Sequence, residues 1–470
     1  MAATAGAIPE ERLSALKMQL RGDASTPTDE GYERARKPFN AMHVDRPAVV
    51  VRCTGTADVV AAVDFARDND LVPTVRGGGH SVAGLSSSDG GFVIDLSSMH
   101  GVEVDPEARL ARVQGGAVLG DVDRETQVFG LATPLGVASE TGVAGLTLGG
   151  GYGWLRRKHG LACDNLVSAQ VVGADGQVRT ASAETNPDLL WALRGGGGNF
   201  GVVTSFTYRL HPIGPVVAFV GAFYPVESAA EVLRGYRDYF ASAPDEVSSE
   251  ALSLTFPADP GLPEPIHDQQ CFVVGAVYAG DADEGMRVMQ PLRELATPLA
   301  DISQPMPFAV VQSAFDAFFP RGMLRAYWKS AYVPELSDEV IEIVARRSAE
   351  RPSALTFVDV YPMGGEVARV GPDESAFGER AAQHMVSVAG NWSDAGEDEA
   401  SIAWVRDVWA EVDALGTGST YLNFTGPEDP TASSVPSAFG GNLDRLGEVK
   451  ARYDPDNLFR RNNNILPSAS

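Results

Sequence analysis

The sequence predicts an α+β protein of two domains, each built around its own sheets. Three observations carry this. Glycine clusters recur through the first 215 residues and then stop. Strand and helix patterns alternate across that half, while the second half reads as longer apolar strands separated by amphipathic helices. The 470 residues also exceed what one ordinary core supports. The boundary falls at His211-Pro212-Ile213-Gly214-Pro215, giving a first domain over 1–215 and a second from 216 onward.

The elements follow in order. Residues 48–53 are a short β-branched run led by Pro47. Thr56 caps the next helix, whose Val59, Val60, Val63 and Ala66 share one face. Residues 71–75 form a second strand, placed at a sheet edge because Pro73 has no N–H to give. It runs straight into Gly77-Gly78-Gly79. Residues 92–96 are a third strand, and 102–105 with 109–114 a hairpin turned at Pro106-Glu107. Residues 117–128 are helical in pattern. After Gly149-Gly150-Gly151, residues 166–172 and 178–181 pair through Asp175-Gly176. Asn186 caps a short helix over 188–194, with Pro187 in its first turn. A third glycine cluster, 195–198, precedes a strand over 202–210.

In the second half, strands are predicted over 216–223, 247–256, 271–278, 327–333 and 355–362, and helices over 229–241, 283–295, 337–351 and 401–415. They suit an antiparallel sheet with helices on one face. A short strand over 421–424 and a helix over 442–452 end the pattern.

The bulk numbers exclude several functions. A net charge of −25 repels phosphate backbones and anionic membranes. No run approaches the ~18 apolar residues of a membrane span. The opening 20 residues lack a basic start followed by an apolar segment. Three cysteines are too few for a disulfide framework and fit a reducing compartment. A cytoplasmic protein with neither nucleic-acid nor membrane partners is expected. The pattern carries no signal of oligomeric state.

Two glycine-rich loops lie near nucleophilic side chains. Val75-Arg76-Gly77-Gly78-Gly79-His80-Ser81 exposes successive backbone N–H groups, a nest suited to pyrophosphate, and sets an imidazole beside it. The run lacks the spacing of a dinucleotide fingerprint or a P-loop. A structural loop with a capping histidine is the plain alternative. Cys163 follows the second loop, with Arg156, Arg157, Lys158 and His159 upstream. These cations either lower its pKa or form a solvated turn. The seven histidines are scattered and form no metal motif. No Gly-x-Ser-x-Gly elbow is present. In the second half, Tyr421 with Asn423, and Asp359 with Tyr361, alternate as strand neighbours sharing a face. They offer a phenol and a carboxylate for proton abstraction, or else an ordinary half-exposed sheet face.

Five segments together resemble the FAD-linked oxidases of the vanillyl-alcohol oxidase (PCMH) type, in the berberine-bridge-enzyme-like branch. They are the His80 loop, Gly149-Gly150-Gly151-Tyr152-Gly153, Gly160-Leu161-Ala162-Cys163-Asp164-Asn165, the stretch from Leu190-Trp191 to Asn199-Phe200-Gly201, and Tyr453-Asp454-Pro455-Asp456-Asn457-Leu458-Phe459. The resemblance implies two α+β subdomains binding FAD over 1–215, a substrate domain over 216–445, and a segment over 446–470 returning to the flavin domain. It implies bicovalent FAD, with His80 bonded to the 8α-methyl carbon and Cys163 to C6. It implies further cofactor contacts from Arg76, Gly77, Gly78, Gly79 and Ser81 in the first loop. Val143, Gly145, Gly149, Gly150 and Gly153 supply others, Val143 as the small residue admitting dioxygen. Asn199, Gly201, Val203, Asn423 and Asn464 complete the set.

The activity implied is oxidation of an alcohol, on a sugar or a secondary metabolite, with dioxygen reduced to hydrogen peroxide. Tyr421 is the implied base, with Asp359 or Tyr361 assisting. A flavin dehydrogenase, an oxidative-cyclisation enzyme and a non-catalytic flavin carrier are the alternatives. Leu146 stands where plant members often carry histidine, and Asn462-Asn463-Asn464 where glutamine is common.

Overall fold

The computed structural model describes residues 8–426 and 434–469; residues 1–7 of the alanine-rich opening lie outside these. The first sheet runs in the order Asp23–Ser25, Val49–Arg52, Phe92–Asp95, Pro73–Arg76. Its last three strands are parallel. Pro73 therefore does sit on an edge strand, where its missing N–H costs no ladder bond. Helix Thr56–Asp68 covers one face through Val59, Ala62, Val63 and Ala66. Gly55, not Thr56, occupies the cap. The Thr56 hydroxyl instead donates to Gln170 of the second sheet at 3.0 Å.

That second sheet is fully antiparallel: Val102–Asp105, Leu110–Gln114, Val202–Arg209, Leu166–Val172, Val178–Ser182. Helices Leu119–Gln127, Pro187–Leu193 and Leu443–Tyr453 contribute to its core. Pro187 opens its helix as expected, but the Asn186 side chain gives no cap; it donates to Thr180 O instead.

The second half forms one eight-stranded sheet. From the strand Val216–Pro225 it runs in the order Gln270–Tyr278, Val247–Thr255, Phe357–Pro362 and His384–Trp392 to the edge strand Arg325–Val333. All described pairings in it are antiparallel. Helices Ala229–Phe240, Asp338–Ala349 and Asp398–Asp413 cover one face. Period-two alternation divides each strand cleanly. Ala251, Val358, Val360, Val386 and Val388 enter the core under the helices. Glu250, Leu252, Phe357, Asp359, Tyr361, Ser387 and Ala389 line a cavity on the other face.

Three expectations are corrected. Strand His384–Trp392 was not anticipated, because Ser387, Ala389, Gly390 and Asn391 interrupt its apolar run. The helix expected over 283–295 is α-helical only over Ala282–Val288. Pro291 lies in the 3₁₀ turn Gln290–Arg293 that follows, since its ring and missing N–H oppose an α continuation. Residues Leu422–Phe424 form a 3₁₀ turn, not a strand.

The C-terminal segment docks on the glycine-rich half at Asn199, around a buried ion pair of its own. The Lys450 ammonium contacts the Asp454 carboxylate, and both side chains have no solvent exposure. Lys450 Nζ also donates to Asn199 O (2.7 Å) and Phe459 O (3.1 Å). Asp454 accepts the N–H groups of Leu458 (2.7 Å) and Phe459 (2.9 Å). Asn199 completes the latch, accepting Ile465 N–H and donating to Asn463 O. Removing one partner strands the other charge away from water. Lys450→Ala is expected to destabilise the protein by about 3–5 kcal/mol. Urea unfolding measures this; a loss below about 1 kcal/mol would show that the pair does not hold the tail.

Candidate active site between the glycine loops and the sheet

The cavity, about 320 Å³, runs between the glycine loops and the open face of the large sheet. Close backbone packing builds its glycine side. A Cβ on Gly78 would lie 2.4 Å from Gly142 Cα, and one on Gly142 would lie 2.3 Å from Gly78 N. One on Gly77 would lie 2.9 Å from Gly115 O. No side chain fits, so main-chain atoms face the cavity there. Gly77, Gly78, Gly79, His80 and Ser81 all line it, as do Gly145, Gly149, Gly201, Val203 and Asn423.

His80 ends the first loop. Its ring stacks on Phe39 with centroids 3.8 Å apart. Nε2 is buried and has no hydrogen-bond partner. Burial, reinforced by the Arg321 charge, lowers its pKa to about 4, so the imidazole is neutral. His80 thus brings a neutral imidazole with an unpartnered Nε2, a nucleophilic nitrogen, to the cavity lining. With the main-chain cradle it fits a flat cofactor held by backbone and bonded at one edge.

Cys163 is placed differently. It is fully buried and does not line the cavity. Gly149 lines the cavity but Gly150 and Gly151 do not, and the Cys163 N–H bonds to Gly150 O at 2.9 Å. That bond ties the Cys163 main chain to the second glycine loop, and its side chain packs in one cluster with the cavity-lining Tyr152, Tyr361 and Tyr421. Burial and the Asp164 carboxylate push its pKa well up. The upstream cations neither activate it nor form a solvated turn. Arg156 and Arg157 are buried and spend their N–H groups on backbone carbonyls of the large-sheet half, among them Ser249, Pro362, Met363 and Val247.

Other expected cofactor contacts also lie off the cavity: Arg76, Val143, Gly150, Gly153, Asn199 and Asn464. Arg76 donates to Ala35 O and lies 3.5 Å from Asp95. Gly153 packs against Leu135 O. Asn199 belongs to the tail latch. Ala144 stands on the wall where Val143 was expected, and Asn462 and Asn463 where Asn464 was.

Tyr421 and Asn423 meet despite the missing strand, because the turn brings Asn423 Nδ2 back to the Tyr421 oxygen at 2.9 Å. Gly151 N–H donates to the same oxygen at 3.0 Å. Burial raises the Tyr421 pKa to about 12, against the opposing pull of those donors. Both oxygen lone pairs are engaged, which leaves its O–H to point elsewhere. Asp359 and Tyr361 do share a face and line the cavity, but it is a buried face, not a half-exposed one. Tyr361 donates to Asp359 Oδ2 at 2.5 Å, and Asp359 Oδ1 has no partner. No hydrogen bond links either to Tyr421 among the described residues, so neither assists it directly.

Glu250 was missed. It is buried, lines the cavity, and leaves Oε1 unpartnered. The available signal was a lone carboxylate in the otherwise uncharged strand Val247–Thr255. Burial raises Glu250 to about 8, with Asp359 adding to the rise, and raises Asp359 to about 7.

A main-chain cradle, an unpartnered imidazole nitrogen and a wall of titratable groups suit a flat cofactor set beside a reacting small molecule. Comparison with known proteins supplies the family. Residues 47–182 match the model of an FAD binding domain, and residues 420–466 the model described as berberine and berberine like. An FAD-linked oxidoreductase of Dictyostelium discoideum is 32% identical over 94% of this chain and 93% of its own. The (R)-6-hydroxynicotine oxidase of Paenarthrobacter nicotinovorans is 30% identical over 97% and 99%. The xylooligosaccharide oxidase from Myceliophthora thermophila C1, solved with xylobiose, superposes with a TM-score of 0.84 at 25% identity, covering 98% of this chain and 100% of that one. The chain belongs to the berberine-bridge-enzyme-like family of FAD-linked oxidoreductases. No helix among its described residues is long and apolar enough to cross a membrane.

The buried carboxyls make stability depend on pH. Their folded-state pKa values lie above those of the unfolded chain, so the unfolded state releases its protons first as pH rises. Stability is expected to fall between about pH 5 and about pH 8 more steeply in the wild type than in Glu250→Gln/Asp359→Asn. Melting temperatures across that range test this; parallel curves would mean that the carboxyls are not held neutral.

Proposed function

We propose that this enzyme oxidises a small-molecule alcohol at FAD, with dioxygen as acceptor and hydrogen peroxide as product. The observation that carries this is the convergence of His80, Tyr421 and Asp359 on one cavity. Two relatives are oxidases by name, which supports dioxygen as the acceptor. FAD, when bound, accepts a hydride equivalent from the substrate and passes the electrons on.

The chain's own groups divide the remaining work. Gly77 to Ser81, with Gly145 and Gly149, hold the cofactor by main chain. His80 Nε2 is the attachment point. The second bond expected at Cys163 has no support in the cavity wall, so a single tether replaces the bicovalent reading. Tyr421, its oxygen held by Gly151 and Asn423, directs its O–H toward the substrate oxygen. A phenol near pKa 12 is protonated at neutral pH and orients better than it abstracts. Asp359, near 7, is poised to take the hydroxyl proton. Tyr361 holds its other oxygen.

Acid-precipitated wild-type protein is expected to stay yellow. His80→Ala should release the flavin to the supernatant, and Cys163→Ala should keep it on the protein. Retention in His80→Ala would return Cys163 to the mechanism. In anaerobic mixing with an oxidisable alcohol, Tyr421→Phe should slow flavin reduction about 10- to 100-fold with flavin content intact. The rate should rise with pH through about 7 in the wild type, and Asp359→Asn should lose that rise. A carrier protein would show no bleaching with any alcohol. A dehydrogenase would bleach but stay reduced in air.

A further inference from the structure

We propose that Asp123 and Gln312 form a proton-operated latch on the cavity. With Asp123 protonated, the pair holds a surface strap closed against the glycine-rich half; with Asp123 ionised, the strap opens more readily.

The strap is residues 308–324. It leaves the large sheet after strand Gln304–Pro307 and rejoins it at Arg325–Val333. It begins with helix Phe308–Gln312. Phe315 and Phe319 line the cavity, and Phe315 also stacks on Trp154 with centroids 6.3 Å apart. Much of the strap lies at the surface, where Ser313, Ala314, Ala317, Gly322 and Met323 are exposed. Beyond Gln312, Asp316 accepts the Ser139 N–H at 2.7 Å, the Arg321 guanidinium donates to Gly78 O, and Gly322 N–H donates to Phe39 O at 2.7 Å.

The latch itself is buried. Asp123, on helix Leu119–Gln127, is 2% exposed and Gln312 is 3% exposed. Gln312 Nε2 donates to Asp123 Oδ2 at 3.0 Å. Asp123 Oδ1 and Gln312 Oε1 are buried without a partner. A carboxylate has no proton to offer the amide oxygen, whereas a carboxylic acid has one. Protonation therefore turns one hydrogen bond into a reciprocal acid–amide pair and relieves the cost of two orphaned oxygens.

The charged neighbours are engaged elsewhere. Helix Leu119–Gln127 packs on strands Val102–Asp105 and Leu131–Ala132 as well as on helix Phe308–Gln312. Of these, only the first carries charges, Glu103 and Asp105, and both are exposed. The strands behind helix Phe308–Gln312 bring Tyr224, which donates to Leu292 O at 2.7 Å. On Asp123's own helix, Asp121 accepts the Val118 N–H and Arg124 lies 3.7 Å from Glu125. Burial raises Asp123 from 3.8 to about 7, opposed by the Gln312 hydrogen bond. An open strap returns Asp123 to water and to its ordinary value, so the closed state holds the proton more tightly. Closure is firmest below about pH 4. Between about pH 4 and about pH 7 each pH unit favours opening by about tenfold, and above about pH 7 both states are ionised and the trend ends.

The test is hydrogen exchange on the holoenzyme, read by mass spectrometry as protection factors corrected for the intrinsic rise of exchange with pH. Protection of the strap is expected to fall about tenfold per unit from about pH 5 to about pH 7, then to level off. Helix Asp338–Ala349 is the reference for global unfolding. Asp123→Asn puts an amide in place of the acid, which pairs with Gln312 at every pH, so its strap protection should not vary over that range. Access to the cavity is read from the rate at which sulfite bleaches the bound flavin. The ratio of wild type to Asp123→Asn in that rate should rise over the same pH range. A flat wild-type profile, a fall in step with the reference helix, or a slope retained in Asp123→Asn overturns the latch. A constant sulfite ratio overturns its control of the cavity. Should Asp123→Asn fail to fold, the wild-type profile against the reference helix decides.

Discussion

The rest of the site depends on two backbones meeting at Gly78 and Gly142. A single methyl on either would fall within 2.4 Å of main-chain atoms of the other. Main chain cannot swing aside as a long side chain can, so the approach excludes any other residue. It joins the loop from the parallel sheet to the start of helix Val143–Leu148. Gly145 and Gly149 then continue the cavity wall from that helix. The next residues, Gly150 and Gly151, take positive φ, which favours glycine. That path delivers the Gly151 N–H to Tyr421. One contact between two glycines thus sets where His80 stands and where the tyrosine oxygen is held.

The large sheet supplies the opposite wall by a different rule. Alternation sends its aliphatic residues under the helices and its functional residues to the cavity. Much of this was legible in the sequence. The strands around Glu250 and Asp359 carry strong β-branched alternation, and Asp359 and Tyr361 were placed on one face correctly. Strand His384–Trp392 escaped notice for a functional reason. Its cavity-facing residues, Ser387 and Ala389, are small, and that removes the amplitude a periodicity search needs. Residues selected to leave room for a ligand weaken the pattern that reveals a strand. The 421–424 segment shows the converse. Its alternation implied a strand, yet the turn Leu422–Phe424 brings the same two side chains together by curvature.

The nucleophile pair was half legible. A glycine nest followed by histidine predicts a buried imidazole facing a cavity, because the loop's own backbone places it. Nothing comparable places Cys163. Its position depends on how Gly149, Gly150 and Gly151 fold over it, a long-range outcome that local sequence does not encode. The cationic run beside it was equally opaque. Arg156 and Arg157 read as surface charge, but the large-sheet half closes over them and their guanidinium groups satisfy its carbonyls. Asn199 and Asn464 illustrate the same limit. Polar residues in motif positions look like ligands, whereas Asn199 serves the tail latch with Lys450 and Asp454.

The two walls also differ in electrostatics, and that difference bears on chemistry. On the glycine side the histidine is neutral and the polar atoms are fixed main-chain dipoles. Such groups hold a cofactor without changing charge during turnover. On the sheet side, two buried carboxyls and a buried guanidinium sit in a setting that penalises every charge. Burial raises both carboxyls, and the Asp359 charge adds to the rise at Glu250. Such a cluster weakens the folded state as pH rises, so it is a poor device for stability. Its value lies in responsiveness: small changes in the charge of a neighbour move Glu250 and Asp359 between neutral and ionised forms near pH 7 to 8. The cavity-lining groups able to change charge near neutral pH thus sit on the sheet wall, and the glycine wall carries main-chain dipoles and a neutral imidazole.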